Sequence, residues 1–232
     1  MLGEIRFMML LDTKLLVPQS LSLSWNHNET AILQAGGDVS AGFAQVMKQA
    51  VVPGLDDLEQ KLSSDGGTFL DVGVGSAGLA IAMAQTWPSL KIVGIDPWAP
   101  SLQLAGKNVQ SAGLMDRIVL RQHAIQDIAD VGAFDLGWIP SPFISKEIIP
   151  SACSRVLRAL HPGGWLLFAM VNPGNDPITA SIVRLRTVLW GGCVMTQEEV
   201  QQLLLGAGFA EVRNLPAPPQ AVIALIAARR AR

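Results

Sequence analysis

From residue 68 onward, short apolar runs alternate with longer stretches of helical period. The runs at 68–72, 91–96, 117–122, 134–139, 164–171, 209–215 and 221–227 predict strands. Residues 76–86, 99–112, 145–159 and 196–206 carry apolar positions three and four apart and predict helices. Strands alternating with helices argue for an α/β fold, a parallel sheet with helices on both faces. The last two strands are joined by Pro216-Ala217-Pro218-Pro219. That link is too short for a crossover, so it predicts a hairpin and one antiparallel edge strand.

Upstream the pattern is less regular. Ser40 to Leu62 reads as one helix, capped by Ser40 and broken at Pro53. Phe43, Val46, Met47 and Ala50 share its apolar face, and Leu55, Leu58 and Leu62 continue it. Thr30–Gln34 predicts a short helix behind the polar cluster Trp25–Glu29. Leu2–Val17 fits neither period, and Ser20–Trp25 alternates with period two. This pattern divides the chain into an N-terminal segment, 1–40, and a main α/β domain, 41–232.

Composition narrows the class. A chain of 232 residues, half of them hydrophobic, suffices for one such sheet with its helices. The net charge of −2 gives no electrostatic footprint for nucleic acid. The basic end, Arg229-Arg230-Ala231-Arg232, reads as a solvated terminus. Two cysteines, Cys153 and Cys193, make no disulfide framework and no structural zinc site. Mean hydropathy is high at +0.35, yet no run reaches the ~18 apolar residues of a membrane span. Glu4, Arg6, Asp12 and Lys14 interrupt the opening segment, which lacks the ordered regions of a signal peptide. A cytoplasmic protein without a membrane partner is expected.

The chemistry concentrates at Phe69-Leu-Asp-Val-Gly-Val-Gly-Ser-Ala-Gly78. Gly73, Gly75 and Gly78 make a strand-to-helix loop with almost no side chains, against which a ligand can lie on bare backbone. The spacing G-x-G-x-x-G alone suggests a dinucleotide. Asp71 points elsewhere. A carboxylate at a helix N-terminus repels a pyrophosphate but suits a ligand that brings an ammonium group.

The spacing D-x-G-x-G resembles the first motif of class I S-adenosylmethionine-dependent methyltransferases. Three further stretches resemble the family in the correct order. Lys91–Asp96 is a second strand ending in a carboxylate; Leu160-His161-Pro162-Gly163-Gly164 resembles the lead-in to its fifth strand, and Ala207–Val212 that to its sixth. The resemblance covers residues 41 to 228. It implies a Rossmann-like seven-stranded sheet of order 3-2-1-4-5-7-6, with a short N-terminal helical extension. It also implies S-adenosylmethionine as cofactor, with S-adenosylhomocysteine as product. By the same resemblance the N-terminal segment serves as a lid over the cofactor or as a dimerisation element in a homodimer.

On that resemblance Asp71, Gly73 and Gly75 hold the methionine part. Asp96 accepts the ribose hydroxyls, a feature shared with NAD enzymes. Pro97 and Trp98 cover a face of adenine. The family commonly carries an Asp after its third strand for the adenine amino group. Here that place is Ala124 followed by Ile125, so apolar packing, backbone groups or Gln126 and Asp127 take over. Trp138, at the end of the fourth strand, faces the methyl group and walls a pocket for a small, flat or apolar acceptor together with Pro140 and Phe143. The run Pro140-Ser141-Pro142-Phe143 is only loosely similar to the tetrad of DNA and amino-group methylases.

Methyl transfer requires alignment of a nucleophile and, for a hydroxyl, a base. Of the three histidines, His161 belongs to the fifth-strand turn at the wrong end of the sheet, and His123 flanks the adenine side. His27, with Glu29, remains the candidate base. Arg184 and Arg186 read first as solvated helix arginines. No metal is expected, because Glu147 is the lone carboxylate near the end of strand four. Small-molecule O- or N-methylation is the leading reading. An NAD(P)-dependent oxidoreductase is the alternative, though it leaves Asp71 unexplained and lacks any tyrosine for a Tyr-x-x-x-Lys pair. A cofactor-binding relative without catalysis is the third.

Overall fold

The apolar runs fold as strands close to the predicted positions. A computed structural model describes residues 2–15, 24–218 and 221–232. The strands are β1 (Thr68–Val72), β2 (Lys91–Ile95), β3 (Ile118–Arg121), β4 (Phe134–Pro140), β5 (Leu160–Val171), β6 (Glu211–Asn214) and β7 (Ile223–Arg229). They form one sheet in the order β3-β2-β1-β4-β5-β7-β6, the Rossmann-like arrangement the resemblance implies. The helices are α1 (Leu2–Leu15), α2 (Thr30–Val46), α3 (Leu58–Ser63), α4 (Gly78–Thr86), α5 (Ala99–Ser111), α6 (Ile149–Ala159), α7 (Pro177–Leu189) and α8 (Gln197–Ala207). Among the described residues no helix is long and apolar enough to cross a membrane.

Two compact units divide the chain. One holds the described residues up to Ala124, apart from Ser24 and Trp25; the other holds those two and Ile125–Arg232. In the first unit β1 and β2 run parallel with Asp71 opposite Gly94 and Val72 opposite Ile95, and β3 extends the ladder beside β2. Four of β1's five residues are buried, as a strand covered on both faces requires.

The helical part of this unit departs from the pattern. Leu2–Leu15 is helical, and Phe7 and Leu11 bury its apolar side. Phe7 sits where α2 has no side chain, with its ring 3.3 Å from the position a Cβ would take on Gly36. Ser40 caps nothing. α2 begins at Thr30 and runs through Ser40, whose hydroxyl bonds back to the Gly37 carbonyl. Gly36 and Gly37, which local propensity would make a stop, stay helical because neighbours need the room. A Cβ on Gly78 would lie 2.0 Å from the Gly37 carbonyl oxygen, so α2 and α4 cross backbone to backbone. Before Pro53 the helix widens into a π turn at Met47–Val51 and ends in a 3₁₀ turn at Val52–Gly54. Most of the period-two stretch Ser20–Trp25, and Leu16 and Val17, lie outside the described residues.

In the second unit β4 and β5 are parallel, while β7 runs antiparallel to both β5 and β6. The antiparallel strand is thus β7, one place in from the edge strand β6. β5 starts at Leu160, ahead of the predicted 164, because Leu160 already pairs with Phe134; the register then shifts around Pro162-Gly163-Gly164, with Gly163 at φ +74°. α6 buries Ile149, Ala152, Cys153, Val156 and Ala159, one face of a helical period. α8 opens on a capping box in which Thr196 and Glu199 each bond the other's backbone N–H.

Candidate cofactor site

β1 carries Asp71 into the turn that precedes α4. The turn is built from left-handed residues, Gly73 at φ +67°, Gly75 at φ +56° and Ala77 at φ +67°. The glycines adopt this conformation freely, whereas Ala77 is held there by structure on both sides. Val74 donates its N–H to the Ile95 carbonyl at 3.0 Å, which ties the loop to the end of β2. A Cβ built on Gly75 would meet nothing nearer than the Gly73 oxygen at 3.9 Å. The backbone there is open to a ligand. Gly78 has a different task, the contact with Gly37, so the third glycine of the motif serves helix packing.

Asp96 follows β2 and faces the same loop. Its Oδ2 accepts from the Gly75 N–H at 3.0 Å and its Oδ1 from the Trp98 N–H at 2.8 Å. Each oxygen keeps a second lone pair for a hydroxyl donor. Burial raises the Asp96 pKa, while these two N–H groups pull against that rise.

Asp71 is 2 % exposed, and its Oδ2 has no hydrogen-bond partner among the described residues. Burial first, and the charge of Asp96 second, push its pKa up to about 8. A buried carboxylate without a cation is costly to keep. It matches a ligand that brings a positive group. The residues therefore fit an amino-acid-bearing nucleoside: Asp71 for the ammonium, Gly73 and Gly75 for close approach, Asp96 for the ribose. A pyrophosphate would meet two buried carboxyl groups instead of donors.

Trp98 is half-buried at the start of α5, and its indole N–H donates to the His27 carbonyl at 2.8 Å. No sequence pattern announces this tie, since it joins residues 71 positions apart. It brings the polar cluster of the N-terminal segment beside the Asp96-Pro97-Trp98 corner. Within that cluster His27 Nδ1 lies 3.9 Å from Glu29 Oε2. Asn108 was also missed. From α5 it donates to the Ser76 carbonyl and to Gln34, both at 2.9 Å, and so braces the loop against α2. Ala124 is half-buried at the end of the first unit.

The remaining predicted residues belong to the second unit. Ile125 is buried in a 3₁₀ turn, Ile125–Asp127. Trp138 is 5 % exposed in the middle of β4, opposite Leu167, so its side chain is largely core. Pro140 ends β4 half-buried. Phe143, in the turn Ser141–Phe143, is 38 % exposed and stacks on Trp190 (5.4 Å, 18°) while Trp25 meets it edge-on (5.0 Å, 74°). Among the described residues no group of three or more His, Cys, Asp or Glu gathers as metal ligands do.

Residues 69–164 match a family model described as a methyltransferase domain. The chain is 31 % identical over 73 % of its length to a release factor glutamine methyltransferase of Chlorobaculum tepidum, spanning 54 % of that protein. It is 31 % identical over 53 % of its length to a ubiquinone biosynthesis O-methyltransferase of Paracidovorax citrulli, spanning 52 % of it. The chain spans about half the length of the curated relatives it matches. Human N-acetylserotonin methyltransferase, solved with S-adenosylmethionine, superposes with a TM-score of 0.60 at 19 % identity, covering 88 % of this chain and 59 % of that one.

Proposed function

Since the chain carries a class I S-adenosylmethionine-dependent methyltransferase domain, we propose that it transfers a methyl group to the oxygen or nitrogen of a small-molecule acceptor. The observation that carries the cofactor part of this reading is the buried Asp71 Oδ2, unpartnered beside an open glycine backbone. It asks for an ammonium next to a nucleoside. When bound, S-adenosylmethionine supplies a methyl group already activated by its sulfonium, so the protein need only bind, orient and, for a hydroxyl, accept a proton.

Asp71 would hold the ammonium group by a charge-assisted bond, and Asp96 both ribose hydroxyls. Gly73 and Gly75 leave room for the ligand to lie on the backbone. Pro97 and Trp98 cover the base, with Ala124 and Ile125 in place of the adenine carboxylate. Pro140 and Phe143 supply the acceptor side, and Trp138, largely core, offers it little surface. His27, 3.9 Å from Glu29, lies beside Trp98 on the side given to adenine, so the candidate base of the sequence has no support from its place in the fold. Action in the cytoplasm, and as a homodimer, belongs to the same reading and is checked by cell fractionation and light scattering.

Turnover is tested by release of S-adenosylhomocysteine with a panel of phenols, carboxylic acids, amines and a glutamine-bearing peptide. Methylation of a ring hydroxyl or amine supports the reading. Methylation of the peptide alone would replace it with a protein acceptor, the class that the Chlorobaculum tepidum relative's name carries. Binding without any turnover would leave a non-catalytic cofactor-binding relative.

A further inference from the structure

α7 is amphipathic in the wrong direction for a helix packed on a protein core. The residues it buries are Ala180 and Thr187, and the Thr187 hydroxyl turns back to the Val183 carbonyl at 2.8 Å. Its larger side chains face out. Ile178, Ile182, Leu185 and Val188 are between 43 % and 73 % exposed. At ~100° per residue these four fall within an arc of about 120°, one continuous stripe. α6 and α8 do the opposite, burying Ile149 and Val156, and Val200 and Leu204. An exposed apolar stripe with a polar rim marks an interaction surface.

The rim is cationic. Arg184 stands four residues ahead of Val188 and Arg186 four beyond Ile182, so an arginine borders each side of the stripe. No residue of α7 is acidic, and Asp176 ahead of it is committed as N-cap to the Thr179 N–H at 2.7 Å. Glu198 of α8 lines a cavity together with Arg184. Counting that acid, the border still carries net positive charge.

A second copy would suit the stripe but not its border. Two such helices paired antiparallel about their middle, near Val183, bring Arg184 of one copy within about a turn of Arg184 of the other. Neither helix has a carboxylate to answer. The stripe is also small, on the order of a few hundred Å² against the ~800 Å² per partner of a stable dimer. A lipid surface supplies what is missing, apolar depth for the stripe and negative headgroups for guanidinium groups carried on apolar stems. At 13 residues α7 falls short of a span and would lie in the plane of the interface.

We propose that α7 docks this chain on an anionic lipid surface, with Ile178, Ile182, Leu185 and Val188 at the boundary between headgroups and acyl chains. The inference does not depend on the methyltransferase reading. The expectation of no membrane partner rested on the lack of a spanning run, which a helix lying on the surface does not need.

The test is co-sedimentation of the full chain with phosphatidylcholine vesicles, plain or with about one-third phosphatidylglycerol. Binding to the anionic vesicles should be at least about tenfold tighter than to the neutral ones, and should weaken at least about threefold as salt rises from roughly 0.1 to 0.5 M. Leu185→Asp should weaken it at least about tenfold. Arg184→Gln combined with Arg186→Gln should remove most of the anionic preference. Val119→Ser, at an exposed position of the edge strand β3, should change nothing. A melting temperature close to that of the unaltered chain shows that each variant is folded. Undiminished binding by Leu185→Asp, or equal affinity for neutral and anionic vesicles, would overturn the proposal. So would a chain that ignores vesicles; if that chain forms a dimer that Leu185→Asp splits, the stripe belongs to a second copy.

Discussion

Replacing Asp71 by asparagine should make the unliganded protein more stable and the cofactor complex weaker. The substitution keeps the shape of a buried side chain and removes its charge. In the fold the carboxyl pKa stands at about 8 against an ordinary 3.8. A folded pKa raised above the unfolded one means that folding favours the protonated form. Stability from this group is fully present below pH 3.8 and is lost as pH rises toward 8. At pH 7 the loss is about 4 kcal/mol, from roughly three pH units at 1.36 kcal/mol each. Asp71→Asn escapes that loss. Its melting temperature relative to wild type should therefore climb between pH 4 and pH 8, by roughly 2–4 °C per kcal/mol for a chain of this size.

Binding runs the other way. An ammonium ligand requires the ionised carboxylate, so wild-type affinity for S-adenosylhomocysteine should rise about tenfold per pH unit below 8 and then level off. The asparagine variant should show no such slope, and should bind at least about tenfold more weakly at pH 8, the loss of a charged hydrogen bond worth roughly 1.5–3 kcal/mol. Scanning calorimetry of the apoprotein and titration calorimetry of the ligand, both from pH 4 to 9, give the two curves. A variant that is less stable than wild type at pH 8, or that binds the ligand as tightly, would refute the reasoning.

Asp96→Ala removes the acceptor of two backbone N–H bonds at the Gly75 and Trp98 positions. It should cost about 2 kcal/mol in chemical denaturation and weaken S-adenosylhomocysteine by at least about tenfold. Gly78→Ala places a Cβ 2.0 Å from the Gly37 oxygen and should cost more than 2 kcal/mol, in the range of strained core substitutions. Gly42→Ala, in α2 with nothing within 4 Å, should stabilise by roughly 0.5–1 kcal/mol in the same denaturation assay.

The contrast between those glycines shows what local sequence carries. The strand–loop–helix around Asp71 was legible because its conformation is written in the residues themselves. Left-handed turns favour glycine, although Ala77 shares this one, and a carboxylate among them suits a cationic ligand. The strand positions were legible for the same reason, since β-rich apolar runs bounded by turn residues have few alternatives. The sheet order came from the family resemblance, because no local rule says that β7 enters between β5 and β6.

α2 was misread where propensity and packing disagree. Ser40 looks like a cap, yet α2 runs through it from Thr30, and Phe7 and Gly78 occupy the space that side chains on Gly36 and Gly37 would fill. The N-terminal helix was expected from the family resemblance and not from the residues of α1 themselves, because its buried positions, Phe7 and Leu11, make sense only against α2. The contact of His27 with Trp98 runs through a main-chain carbonyl, which no residue type announces. Trp138 illustrates the converse. It does belong to β4, but it lies inside the strand and not at its end, and 5 % exposure leaves little of it for a ligand.

The most direct measurement is calorimetric titration of the purified protein at pH 8 with S-adenosylhomocysteine, with NADH in parallel. One-site binding of the first and none of the second is the predicted result. NADH binding with no response to S-adenosylhomocysteine would contradict the account, because it would mean that the buried carboxylate of Asp71 does not await an ammonium.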